Sequence, residues 1–126
     1  MNDRQARTLI EDYVDGWKTN DRDRILSSLA PDCVIIESHG PTYRGTDLVR
    51  QWIESWFSGG SSVDRWEITS FHSMEDTAVF EWDFECTVGG QQYRLDGISI
   101  VEFKDGRIST MREYRRTEFP YEWTPK

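Results

Sequence analysis

Residues 79–116 read VFEWDFECTVGGQQYRLDGISIVEFKDGRISTMREYRR, and the fold turns on them. Phe80, Trp82, Phe84 and Cys86 alternate with Val79, Glu81, Asp83 and Glu85. That period of two belongs to a strand with one buried face. Gly89-Gly90 tolerates the positive φ of a tight hairpin. A second run covers 91–104, and Asp105-Gly106 is another hairpin signal. The run 107–116 completes a three-strand antiparallel meander onto which the rest of the chain is expected to pack.

Upstream, Ala6, Leu9, Ile10, Tyr13, Val14 and Trp17 fall on one face of a helix, capped by Asn2 or Asp3. Asn20-Asp21 breaks it. Asp21 caps a short second helix carrying Ile25, Leu26 and Leu29, which Pro31 is expected to end. Val34, Ile35 and Ile36 are the heart of a strand over 32–38. His39-Gly40-Pro41 turns the chain, and Tyr43-Arg44 forms a short return strand. Thr46 is read as the cap of a third helix, with Leu48, Val49, Trp52, Ile53, Trp56 and Phe57 as its apolar stripe. After Gly59-Gly60-Ser61-Ser62, residues 63–73 form a strand with Trp66, Ile68 and Phe71. The tail from about residue 117 holds Pro120 and Pro125 and is expected to be irregular, with Phe119, Tyr121 and Trp123 as docking candidates. Nothing suggests a repeat or linker, so residues 1–126 are read as a single domain. Helices gathered against an antiparallel sheet make an α+β fold, and a long curling sheet leaves a concave interior.

The formal net charge of −8 disfavours nucleic acid as a partner, since phosphate contacts need clustered Lys and Arg. The one tight basic group, Arg112, Arg115 and Arg116, stands among acids. No apolar run reaches the length of a membrane span, and residues 1–7 lack the apolar core of a signal peptide, so a cytoplasmic location is expected. Cys33 and Cys86 sit in apolar strand patterns and read as buried free thiols. There is no zinc-type cysteine spacing, and no metal or organic cofactor is implied. Six Trp are many for this length. Such rings fill cores and also line small-molecule pockets.

The chain resembles the nuclear-transport-factor-2-like superfamily of cone-shaped α+β domains, a cystatin-like roll with a curved mixed or antiparallel sheet and three helices in its concave face. More narrowly it is similar to the SnoaL-like polyketide cyclases and the ketosteroid isomerases. The residues that carry the likeness are Leu29-Ala30-Pro31-Asp32, Tyr43-Arg44-Gly45, Asp105-Gly106-Arg107-Ile108 and Met111-Arg112-Glu113-Tyr114. The isomerase resemblance implies a proton-shuttling carboxylate at Glu37 and an oxyanion-donating tyrosine at Tyr13. It places Ser99 where those enzymes carry a protonated aspartic acid. Similarity to limonene epoxide hydrolases places their water-activating aspartate at Glu113. Their arginine and second aspartate fall on Phe80 and Trp82, which cannot orient water or protonate an epoxide.

From the residues alone, Glu37 and His39 share strand parity with Ile35 and are read as facing either the cone or water. A carboxylate inside an apolar cone would be costly unless paired, and burial would raise its pKa toward general-base range. Glu113 and Arg115 share a parity opposite to Ile108 and Tyr114, so alternation does not decide whether they face a pocket or solvent. Tyr13 is either core or pocket. The catalytic candidates are thus Glu37, Tyr13, His39 and Glu113. The candidates for substrate contact are Ile35, Trp52, Trp66, Phe80, Trp82, Phe84, Leu95, Ser99, Met111 and Arg115. If Ser99 points inward, Ile98 and Ile100 lie on the outer sheet face, where relatives of this fold pair as homodimers. Three functions stay open: a cofactor-independent isomerase, cyclase or dehydratase acting on a small hydrophobic molecule, a non-catalytic holder of such a molecule, and a dimeric interaction module.

Overall fold

The computed structural model describes residues 1–125. Helix α1 spans Asp3–Lys18 and is opened by a capping box, in which the Gln5 backbone N–H donates to Asn2 and the Gln5 side chain accepts from the Asn2 N–H. Its apolar face buries Ala6, Ile10, Tyr13, Val14 and Trp17. Helix α2, Arg22–Ser27, starts at Asp21, whose carboxylate accepts from the Arg24 N–H. The two helices cross closely at Gly16, where a Cβ would come within 2.6 Å of Ile25. Helix α3 is Thr46–Ser58.

The sheet has six strands: β1 Leu29–Ile36, β2 Thr42–Arg44, β3 Ser62–Met74, β4 Thr77–Val88, β5 Gln91–Lys104 and β6 Arg107–Arg115. Their spatial order is β2-β1-β6-β5-β4-β3, so the sheet stays open. The meander of β3 to β6 is antiparallel throughout, and β1 joins β6 in parallel. The three helices pack against this mixed sheet as an α+β domain. Cys33 and Cys86 are buried free thiols.

Several boundaries differ from the sequence expectation. Helix α2 ends at Ser27, and Leu29 opens β1 instead of closing the helix. Pro31 therefore lies inside β1. The pairing of β1 with β6 shifts register between Leu29 and Val34, an irregularity that accommodates a residue with no N–H to donate. Strand β1 ends at Ile36, so Glu37 and His39 belong to the following turn, where the Glu37 N–H donates to the Pro41 carbonyl (2.9 Å). Helix α3 starts at Gly45 with φ +83°, a conformation suited to glycine, and Thr46 is its first helical residue and does not cap it. In the tail, Phe119 lies under the Arg94 guanidinium at 4.7 Å from the ring centroid. Tyr121 and Trp123 do not dock and stay 79% and 78% exposed.

Bulges set which side chains face inward. Glu102 and Phe103 are neighbours on β5, yet their partners on β6 are Thr110 and Ile108. Ser109 is thus an extra residue, and its hydroxyl donates to the Glu102 carbonyl (3.0 Å). Ile108 and Met111 both become fully buried although their numbers differ in parity. In β3 a similar shift around Asp64 puts Val63 and Trp66 on one face.

Candidate functional site

One end of the concave sheet face is filled. Ile10, Leu29, Ile35, Phe80, Val101, Ile108 and Met111 are fully or almost fully buried there. At the other end a hollow of about 550 Å³ remains between α1, α3 and strands β3 to β6. Trp82 divides the two. Its indole N–H donates to the Ser99 hydroxyl (2.9 Å), and its ring lies over Gly97, its pairing partner on β5. A Cβ at position 97 would sit 2.8 Å from that ring and 2.1 Å from the Tyr114 carbonyl. Glycine is what lets the indole lie flat as a floor.

The walls above that floor are aromatic. Trp56, Trp17, Tyr13, Trp66, Phe84 and Trp82 all line the hollow. Each touches the next nearly at a right angle, with interplanar angles of 89°, 72°, 74°, 88° and 74° along the series. Edge-to-face pairing of this kind is the favourable geometry for rings. Among the described residues, the buried indole N–H groups of Trp17, Trp56 and Trp66 have no hydrogen-bond partner. Each such group costs about 1–3 kcal/mol. This part of the wall is therefore not optimised for self-satisfaction.

Two carboxyl groups enter this apolar space. Glu37, 23% exposed at its side chain, accepts a 2.7 Å hydrogen bond from the Tyr43 hydroxyl. Tyr43 in turn stacks flat on Trp52 of α3, with centroids 4.0 Å apart and planes 6° apart. Helix α3 thus positions a strand-end carboxylate through two rings. Burial, helped by the hydrogen bond to Glu37, raises the Tyr43 pKa, so the phenol stays a donor. His39 Nδ1 approaches Glu37 at 3.9 Å from an exposed position.

The second carboxyl is Glu113 on β6. The bulge at Ser109 turns it inward with Met111, while Tyr114 faces out. Burial pushes its carboxyl up to about 8, and the negative charge of Glu37 adds to the shift. Tyr13, buried against the same cavity, has its phenol raised well above the ordinary value, by burial first and then by the Glu113 charge. It therefore remains protonated. Among the described residues no three His, Cys, Asp or Glu side chains gather as a metal site.

Of the residues singled out from the sequence, Glu37, Tyr13, His39, Glu113, Trp52, Trp66, Trp82, Phe84, Leu95 and Arg115 line this one cavity. Four others do not. Ile35, Phe80 and Met111 pack fully buried in the filled end, and Ser99 is spent as the acceptor for Trp82. Phe80 is therefore core and not part of the cavity wall. The sequence reading missed Tyr43, Trp17, Trp56 and Cys86. Tyr43 sits on the strand expected for it, but its bond to Glu37 has no local sequence signal. Trp17 and Trp56 are visible as helix-stripe residues, and helical period does not separate cavity wall from core. On the outer face Ile98 and Ile100 are half-buried beside the exposed Tyr114.

Residues 10–111 match the model of the SnoaL-like domain family. No curated protein sequence matches the chain. Among solved structures, an LEH-like epoxide hydrolase of M. tuberculosis aligns with a TM-score of 0.81 and 17% identity, covering 90% of this chain and 84% of its own. A hypothetical protein of Catenulispora acidiphila with a ketosteroid isomerase-like fold, solved with trimethylamine, aligns with a TM-score of 0.76 and 15% identity, over 93% of this chain and 97% of its own. TerC, co-crystallised with polyporic acid, gives a TM-score of 0.74 and 20% identity, over 90% and 92%. At these identities the likeness is one of fold.

Proposed function

The chain belongs to the SnoaL-like domain family, and on that premise we propose that it is a cofactor-independent proton-transfer enzyme acting on a small, largely apolar molecule held in the aromatic cavity. The fold alone does not select this function, because it hosts many chemistries. The observation that carries it is the pair of carboxyl groups on one apolar hollow, one hydrogen-bonded by a phenol at its mouth and one desolvated on β6. Glu37 accepts the Tyr43 hydroxyl hydrogen bond and is held in place by it, and burial pushes Glu113 up to about 8. A desolvated, protonated Glu113 beside a hydrogen-bonded carboxyl supports an acid and a base within one site.

In this mechanism Glu37 removes a proton from carbon next to an electron-withdrawing group. Tyr13 donates a hydrogen bond to the oxygen on which negative charge grows, and Glu113 returns a proton. The net change is isomerisation, ring closure or loss of water, depending on where the second proton lands. Solved relatives of the fold were crystallised with small organic molecules, trimethylamine in one and polyporic acid in another, which supports the hollow as a ligand site.

Elimination of 5-nitrobenzisoxazole tests the reading without the natural substrate, since it needs a carboxylate base in an apolar site and gains from a donor at the phenolate oxygen released when the ring N–O bond breaks. Glu37→Gln is expected to lower kcat/KM by about 100-fold or more. The wild-type rate is expected to fall above pH of about 8 as Glu113 loses its proton, and Glu113→Gln removes that alkaline limb. Equal rates in wild type and Glu37→Gln would refute the assignment.

A further inference from the structure

We propose that the molecule this hollow takes is an amphipathic organic acid, whose carboxylate rests on Arg115 at the mouth while its apolar body fills the aromatic interior. The inference rests on the hollow being the ligand site, and it adds the charged end of the molecule that enters it.

The mouth is layered in chemistry. Strands β1 and β6 run in parallel, with Ile35 beside Met111. Two residues further along each chain stand the carboxyl groups of Glu37 and Glu113, and two further again stand His39 and Arg115. These last four all line the hollow. Met111 is fully buried, Glu37 is 23% exposed at its side chain, and His39 and Arg115 are exposed. From the core outward the order is apolar, acidic, then basic. On β6 the step from Glu113 to Arg115 covers about 6–7 Å. A head group held at the rim is thereby kept apart from the acids below it.

Arg115 is the cation of this mouth that has no partner of its own. Elsewhere on the sheet Arg65, Arg94, Arg112 and Arg116 each hold a carboxylate of the chain, at 3.1, 3.2, 2.8 and 2.8 Å. Arg115 forms no ion pair among the described residues, although Glu113 stands two residues away on the same face of β6. A guanidinium offers two parallel N–H donors, which match the two oxygens of a carboxylate. The apolar wall beside it keeps water from one side of such a pair, which strengthens it relative to a pair in open solution. The indole N–H groups of the wall that lack partners among the described residues are donors, so they do not oppose an oxygen anion.

An acid at the rim also fits the chemistry beneath it. A negative head group does not draw the proton from Glu113, so the proton donor of the proposed reaction stays loaded when the ligand is bound. The head group is carried by Arg115 and leaves Glu37 free to act as base. Anchoring one end at the mouth fixes how deep the other end reaches, so the distance from the carboxylate selects which carbon meets Glu37.

The test is calorimetric binding of 2-naphthylacetate against 2-naphthylacetamide and 2-(2-naphthyl)ethylammonium, three molecules with one apolar body and different heads. The acetate is expected to bind about fivefold or more tightly than the amide, and the ammonium most weakly. Arg115→Gln is expected to bring the acetate down to the level of the amide, while the amide changes by less than about twofold. Arg115→Lys, which keeps the charge and loses the fork, is expected to retain part of the preference. Raising NaCl to about 0.5 M should shrink the preference, because the rim stands in water. Equal or tighter binding of the amide or the ammonium, or a preference that survives Arg115→Gln, would overturn the organic-acid inference. Elimination of 5-nitrobenzisoxazole that still depends on Glu37 would then leave the proton-transfer reading standing. Binding of none of the three would overturn the hollow as a ligand site and both readings with it.

Discussion

The two ends of the same concave sheet face are built from different residues and do different things. Strands β4, β5 and β6 run through both. At the filled end they contribute Phe80, Val101, Phe103, Ile108 and Met111, mostly branched or flexible aliphatic groups buried in one core. At the hollow end the same strands contribute Trp82, Phe84, Leu95, Glu113 and Arg115. Flat rings meeting at right angles keep a space open that aliphatic chains would close. Three indole N–H groups there lack partners among the described residues, and a carboxyl is held far from its ordinary pKa. One end supplies stability, and the other uses some of it.

The contrast can be broken most severely at the filled end. Phe80→Ala is expected to cost about 3–5 kcal/mol, read by urea denaturation, because the cavity it leaves is enclosed. A loss below about 1 kcal/mol would mean that this end is not solidly packed. The boundary comes next. Gly97→Ala is expected to destabilise by about 1–3 kcal/mol, because the new methyl must displace the Trp82 ring or the Tyr114 backbone. The displaced indole should also change the fluorescence of the protein.

At the hollow end the sign reverses. Below about pH 4.5 both folded and unfolded chains carry Glu113 protonated. As pH rises, the unfolded chain ionises first, while the folded one holds its proton up to about 8. The folded state binds more protons across that window, so stability falls through it. Glu113→Gln lacks this loss. It is expected to be more stable than wild type at pH 8.5, by roughly 1–3 kcal/mol, with the gap closing toward pH 5. A gap that does not change with pH would place the carboxyl in water. Smallest is Trp56→Leu, a partly exposed wall residue, expected to stay within about 1 kcal/mol of wild type in the same denaturation series.

Burial at the filled end was legible in the sequence, because alternation of two and helical spacing both report it, but its solidity was not: Ile35, Phe80 and Met111 were read as cavity wall and are core. The alternation of Phe80, Trp82 and Phe84 set the inner face of β4 correctly, and Asp105-Gly106 closed the turn where it was expected. The site was legible only in part. Glu37 and Tyr13 came from family position. The direction of Glu113 could not be read, because the bulge at Ser109 resets parity inside an otherwise regular run. Tyr43 lies on its expected strand, but its bond to Glu37 depends on stacking against Trp52 from a helix later in the chain. Pro31 was misread for a similar reason. A proline stops a helix, but α2 has already ended at Ser27, and pairing with β6 sets the course of the chain around Pro31.

The surplus serine in the last strand works like a frame marker in a reading frame. Pair it in regular alternation, with every letter kept, and Met111, Glu113 and Arg115 would swing to the outside while Arg112 and Tyr114 turned in. Two SnoaL-like chains could then agree at each chemically interesting letter and still differ in whether an acid reaches the interior. In this architecture the place where a strand bulges carries as much functional information as the acid beyond it.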